Sequence, residues 1–245
     1  MNFIIAKDND SMGRIAATIV AAQVFTKPNS VLGLATGSTP IPLYKELVNY
    51  YKRGEIDFSD VKSFNLDEYV GLPQTHEQSY MYFMRYNLFD HINIKKGSYH
   101  CPKGDPATLH EEAKNYEKMI KDAGGIDLQV LGIGPNGHIG FNEPSSKFEQ
   151  VTHVTDLKEE TIEANKRFFE KKEDVPRKAI TMGIKTIMMA RSIILLATGS
   201  NKAEIVKQSF FGEITSNVPA SVLQLHQNVT VIVDSEAGEK IKKHI

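Results

Sequence analysis

Asp127-Leu-Gln-Val-Leu-Gly-Ile-Gly-Pro-Asn-Gly-His-Ile-Gly-Phe-Asn-Glu-Pro144 reads as a buried strand that runs straight into a glycine-rich turn carrying a histidine and a carboxylate. A short apolar run closed by glycines fits a strand covered on both faces, and a turn at the carboxyl end of such a strand is where an α/β sheet holds its ligand. Gly132, Gly134 and Gly137 also match the G-x-G-x-x-G dinucleotide fingerprint, with Asp156 standing about 20 residues on, where a ribose-binding acid would be. That reading requires a helix opening at the third glycine. Pro135 removes a donor inside the turn, and Gly140 and Pro144 interrupt the stretch that the helix would occupy. His138 and Glu143 are then the residues to explain, either as turn and surface groups or as members of a site.

Working outward, further short apolar runs recur at Val31 to Ala35, Val61 to Leu66, Ile193 to Ala197 and Val229 to Val233, several of them too apolar to leave one face wet. Between the runs lie amphipathic stretches, Ser11 to Phe25, Pro42 to Tyr51, Ser79 to His91 and Thr108 to Ala123, with apolar positions at helical spacing. Alternation of strand and helix predicts a doubly wound α/β fold, a mostly parallel sheet with helices on both faces. No linker divides the chain, so residues 1–245 are expected to form one domain.

Two other strand-to-helix turns stand out. Leu34-Ala-Thr-Gly-Ser-Thr-Pro40 has a near copy in Leu196-Ala-Thr-Gly-Ser-Asn-Lys202. Each offers a glycine, hydroxyls and a following helix whose free N–H groups attract an anion. Ser38, Thr39 and Ser200 would also serve as N-caps; the recurrence of the turn and the charge of Lys202 favour a phosphate monoester. In Phe64-Asn-Leu-Asp-Glu-Tyr-Val-Gly71 paired acids end an apolar run. Successive side chains of an extended segment point to opposite faces, so one of Asp67 and Glu68 faces a cleft while the other lies outside or caps the next segment. A shielded acid there suits a proton acceptor and a solvated one a loop.

Composition restricts the partners. Lys plus Arg number 29 against 30 Asp plus Glu, a net charge of -1, which gives no broad attraction to nucleic acid or to a membrane surface. Cys101 is the single cysteine; it excludes an internal disulfide and suits a reducing compartment. The eight histidines form no H-x-x-x-H or H-E-x-x-H pattern, so no metal is expected, and the G-x-S-x-G elbow is absent. The first residues carry charge too early for a secretion signal, and no apolar run approaches the ~18–20 residues that span a bilayer. A cytoplasmic protein acting on a small molecule is expected.

Leu34–Pro40, Asn65-Leu-Asp-Glu-Tyr-Val-Gly-Leu-Pro73, Gly132–Pro144 and Ala164-Asn-Lys-Arg-Phe-Phe169 together resemble the glucosamine-6-phosphate deaminase family. Pro219-Ala-Ser-Val-Leu-Gln-Leu-His226 also fits, and the match covers most of the chain. The resemblance implies the doubly wound fold shared with 6-phosphogluconolactonases and ribose-5-phosphate isomerases. It also implies conversion of glucosamine 6-phosphate and water to fructose 6-phosphate and ammonia, with no metal or redox cofactor.

By motif, Asp67 matches the family's proton acceptor at sugar C2. His138, assisted by Glu143 and by residue 136, matches the group that opens the pyranose ring. Thr36, Gly37, Ser38 and Thr39 of the first turn, with Arg167 and Lys202, match the anion cradle; Arg presents a planar fork to phosphate and Lys a point charge. Two positions depart from the pattern. Asn136 stands where many members carry aspartate, which leaves Glu143 to support His138 without a second charge. The stretch Val151-Thr-His-Val-Thr-Asp156 lacks the basic cluster, and the chain the C-terminal extension, of the longer allosteric members, so that type of activation is not expected. Residues 158–178 are strongly charged around Arg167 and are expected to form a helical lid that closes on the phosphate. A 6-phosphogluconolactonase would share the cradle without needing Asp67, and a sugar-phosphate sensor would need a DNA-binding module for which the chain has no room. The resemblance does not fix the oligomeric state.

Overall fold

The computed structural model describes residues 1–166 and 169–245. In chain order the strands are β1 (Asn2–Ile5), β2 (Val31–Leu34), β3 (Lys62–Asn65), β4 (Asp67–Tyr69), β5 (Tyr99–His100), β6 (Leu128–Gly132), β7 (His153–Asp156), β8 (Lys178–Thr181), β9 (Ser192–Ala197) and β10 (Val229–Val233). The helices are α1 (Asn9–Thr26), α2 (Ile41–Lys52), α3 (Tyr80–Asn87), α4 (Leu109–Asp122), α5 (Glu159–Asn165), α6 (Ile184–Met188) and α7 (Ala203–Phe211).

Seven strands make the main sheet in the order β1-β10-β9-β6-β2-β3-β5, and every neighbouring pair is parallel. All four residues of β2 are buried, as are the last five of β9. Because successive side chains alternate faces, burial of every position means that helices cover both faces of the sheet. α1 shows how the sequence meets that need. Asp8 caps it by accepting from Ser11 N at 2.7 Å, and Met12, Ala16, Val20 and Val24, one turn apart, form its buried face. The core holds Tyr44, Tyr116, Phe58 and Phe64 among its largest fully buried side chains.

From β2 the chain builds outward through β3 to β5, then returns to β6 and builds the other way through β9 and β10. The reversal falls between β2 and β6. At such a switch point right-handed crossovers leave to opposite faces of the sheet, and a crevice opens at the strands' carboxyl ends.

The strands expected from the apolar runs are present. The stretch Ser79 to His91 is divided: α3 stops at Asn87 and a separate 3-10 turn spans Phe89–His91. A second, antiparallel sheet, β4-β8-β7, goes beyond the expected parallel one. Its strands are three or four residues long, too short for a periodic signal. It joins the main sheet at Leu66, whose N–H donates to Leu34 O at 3.1 Å and whose carbonyl accepts from Met182 N at 2.7 Å. Among the described residues no helix is long and apolar enough to cross a membrane.

Candidate active site

A cavity of about 560 Å³ opens at the switch point, lined by the ends of β2 and β6, by Asp67, by the turn after β9 and by α5. It gathers Thr36, Gly37, Ser38, Thr39, Asp67, His138 and Lys202, residues that lie far apart in sequence. Asn136 and Glu143 stand behind His138. Arg167 lies outside the described residues.

Asp67 is the first residue of β4, two residues past the end of β3, and is 6% exposed. Burial, and then the charge of neighbouring Glu68, pushes its carboxyl up to about 8. Glu68 points the other way and is fully buried. It accepts from Tyr69 N, Tyr80 N and Met81 N at 2.9 to 3.2 Å, the last two being the opening N–H groups of α3. Burial pushes it up to about 7 against the pull of these N–H groups. Of the paired acids, one faces the cleft and the other caps the next helix, one of the two arrangements that strand alternation allows. From behind, Tyr116 donates its hydroxyl to Asn65 O at 2.8 Å and fixes the strand end that carries Asp67.

The turn after β6 opens no helix; the next one is α5, which removes the dinucleotide reading. His138 folds back over the turn, so that a Cβ built on Gly134 would lie 2.2 Å from His138 Cε1. Only glycine fits beneath the imidazole. Gly140, at φ +58, brings the same turn against the second sheet, where a Cβ would lie 2.8 Å from Thr181 Oγ1 and 3.5 Å from Asp67 Oδ2. His138 Nδ1 is 3.4 Å from Glu143 Oε2, close enough to feel the carboxylate but off the geometry of a hydrogen bond. Asn136 donates from Nδ2 to the same Oε2 at 2.7 Å and accepts from His138 N at 3.2 Å. Thr161 donates its hydroxyl to the other oxygen, Oε1. Burial pushes Glu143 up, but the His138 imidazole, the Thr161 hydroxyl and the Asn136 amide outweigh it and hold the carboxyl at about 2. Glu143 is therefore a carboxylate at neutral pH, aimed at an imidazole.

The two look-alike turns differ in structure. In the first, α2 begins after Pro40 with no side-chain cap, so Ser38 and Thr39 do not act as N-caps and sit in the cavity wall. Tyr44 braces this turn by donating its hydroxyl to Ala35 O. In the second turn the donors are engaged by acids: Asp234 accepts from the Thr198 hydroxyl and from Gly199 N, the latter at 3.0 Å, and Glu236 accepts from Ser200 N at 3.2 Å. The expectation of two equivalent anion turns is corrected accordingly. The Gly199 and Ser200 N–H groups of the second are held within the protein, and its contribution is Lys202, whose Nζ donates to Ile133 O at 2.7 Å and so stands beside the end of β6.

Sequence reasoning missed the wall facing Asp67. Tyr69, Tyr80 and Phe141 pack ring against ring with centroids 4.9 to 6.1 Å apart, and Asn165 donates from Nδ2 to Tyr69 OH at 2.9 Å. Tyr69, Phe141 and Asn165 lie within the quoted motifs but received no role there, and Tyr80 lies outside them; no pattern in the sequence says that their rings meet. Cys101 is buried, and burial holds its proton on. Residues 153–156 line a second cavity of about 230 Å³ together with Lys147 and Lys158, which pair with Glu149 and with Pro144 O.

Comparison with known proteins agrees with this geometry. The family model described as glucosamine-6-phosphate isomerases/6-phosphogluconolactonase matches residues 9–232. A glucosamine-6-phosphate deaminase of Thermoanaerobacter sp. (strain X514) is 58% identical over 241 residues, covering 98% of this chain and 95% of that one. One from Clostridium botulinum (strain Langeland / NCTC 10281 / Type F) is 54% identical over 242 residues, 99% of both chains. Among solved structures, a monomeric glucosamine-6-phosphate deaminase superposes with TM-score 0.95 at 41% identity, over 98% of this chain and 100% of its own. A 6-phosphogluconolactonase from Trypanosoma brucei shares the fold, with TM-score 0.79 at 19% identity over 98% of both chains. With its switch-point cleft, its buried Asp67 and a family match over nearly its whole length, the chain belongs to the glucosamine-6-phosphate isomerase/6-phosphogluconolactonase family.

Proposed function

We propose that the chain is a glucosamine-6-phosphate deaminase, converting glucosamine 6-phosphate and water to fructose 6-phosphate and ammonia. The observation that carries this reading is the shielded carboxyl of Asp67, facing the same cavity as His138 and the first anion turn. Hydrolysis of a lactone is attack of water at C1 and requires no proton abstraction at C2.

The phosphate is assigned to Ser38, Thr39 and the backbone of Thr36 and Gly37, with Lys202 as a point charge. Arg167 joins them on the strength of the sequence resemblance, and residues 158–178 are assigned as the lid. His138, with Nδ1 towards Glu143, presents its other ring nitrogen to the sugar. There it takes the proton of the anomeric hydroxyl and returns it to the ring oxygen, opening the ring; the Glu143 carboxylate stabilises the imidazolium formed on the way. Asn136 holds Glu143 in place of the second charge that an aspartate would supply. The ammonium at C2 enters beside Asp67 and favours its ionised form. The carboxylate removes the C2 proton and delivers it to C1. Removal of the proton gives an enolamine and its delivery to C1 an imine at C2, to which water adds to expel ammonia.

Glucosamine 6-phosphate deuterated at C2 tests this reading. Deuterium leaves C2 in step with turnover and appears at C1 of fructose 6-phosphate or in solvent. A product that keeps deuterium at C2, or hydrolysis of 6-phosphogluconolactone with no action on the amino sugar, would refute it.

A further inference from the structure

Thr161 belongs to none of the sequence motifs, yet it is 5% exposed and its hydroxyl is bonded to the Glu143 carboxylate. The two oxygens of that carboxylate are divided between different elements. Oε2 receives the Asn136 amide at 2.7 Å and faces His138 Nδ1 at 3.4 Å, both within the turn after β6. Oε1 receives Thr161, from α5. One helical turn further along α5, Asn165 donates to the hydroxyl of Tyr69, which stands two residues from Asp67 in β4. Between the two bonds Ile162 is buried, in the apolar cluster that includes Tyr69 and Phe141. The helix thus docks through two polar contacts, one on the group behind His138 and one on the strand that carries Asp67.

We propose that Thr161 is a positioning residue for ring opening: its hydroxyl fixes the Glu143 carboxylate with Oε2 towards His138, and makes that alignment conditional on α5 being docked. The proposal rests on the reading of His138 and Glu143 as the ring-opening pair. A neutral donor suits the task. A lysine in this place would compete with the imidazolium for the charge of Glu143, whereas a hydroxyl aligns the carboxylate and leaves its charge available to His138. With Thr161 absent, Asn136 alone holds the carboxylate, which is then free to turn about that bond. A shift of about 1 Å in a supporting group costs on the order of 10²-fold in rate.

The test compares Thr161→Val, Thr161→Ala and Thr161→Ser with the wild type on glucosamine 6-phosphate, with folding checked by circular dichroism. Binding of the open-chain 2-amino-2-deoxyglucitol 6-phosphate, which needs no ring opening, is measured alongside. Loss of the hydroxyl is expected to lower kcat about 10- to 100-fold with KM within about twofold of wild type. The alditol phosphate binds unchanged, and Thr161→Ser restores most of the turnover. Should the valine variant not fold, the alanine variant carries the comparison. Near wild-type turnover without the hydroxyl would overturn the proposal. So would a serine variant as impaired as valine, or equal losses in kcat and alditol binding, which would mark Thr161 as a lid anchor only. A wild type inactive on glucosamine 6-phosphate would refute the functional reading itself, whereas an active wild type with an indifferent Thr161→Val refutes only this inference.

Discussion

Replacing Asp67 with asparagine should move activity and stability in opposite directions. The carboxyl is buried and its value rises from 3.8 to about 8 in the folded chain. A raised folded value means that between these two limits the native state holds a proton that the unfolded state has lost, so stability falls as pH rises through the window. Each unit corresponds to about 1.4 kcal/mol, which sets a ceiling of about 6 kcal/mol on the cost of keeping this acid buried at pH 8 and above. Water entering the cavity solvates part of the charge, so a gain of about 1–3 kcal/mol is expected on removing it. The amide keeps the shape and cannot accept the C2 proton, so turnover should drop by roughly 10²–10⁴. Thermal unfolding of both proteins at pH 5 and pH 8, with ammonia release measured on the same preparations, reads both effects. The variant should melt higher at pH 8, by about 2–4 °C per kcal/mol, and the difference should shrink towards pH 5. A variant no more stable than wild type at pH 8, or one that retains turnover, would refute the reasoning.

Lys202→Ala should weaken binding of glucosamine 6-phosphate by about 1.5–3 kcal/mol and leave an unphosphorylated amino sugar unaffected; isothermal titration with both ligands checks this, and equal losses would remove Lys202 from the cradle. Gly134→Ala places a methyl group 2.2 Å from His138 Cε1, so the imidazole must move and kcat should fall while the melting temperature changes by only a few degrees. Normal turnover in that variant would argue against His138 as the ring-opening group. Glu143, held at about 2, contributes stability that is complete above its unfolded value near 4.5 and is lost as pH falls towards 2. Glu143→Gln should therefore cost stability at pH 7 and little at pH 2, as read by urea unfolding; a pH-independent difference would contradict the assignment.

The architecture was legible because β2, β6, β9 and β10 are buried on both faces, which leaves continuous apolar runs between helices of ordinary period. The second sheet was not, since three- and four-residue strands carry no period and are held by register with one another. At the site, strand alternation alone said that Asp67 and Glu68 face opposite ways, the resemblance chose Asp67 for the cleft, and His138 and Glu143 stood out by their turn. The second anion turn misled because its donors are taken by Asp234 and Glu236, which lie more than thirty residues further along the chain. The roles of Thr161 and Tyr69 were not legible for the same reason: they exist only where α5 meets the turn after β6 and the start of β4.

The central claim is tested most directly by following ammonia and fructose 6-phosphate together, with the purified protein, glucosamine 6-phosphate and no added metal or redox cofactor. One ammonia and one fructose 6-phosphate should form for each substrate consumed, and 6-phosphogluconolactone should be left to its spontaneous hydrolysis. Accelerated opening of the lactone with no ammonia from the amino sugar would contradict the account.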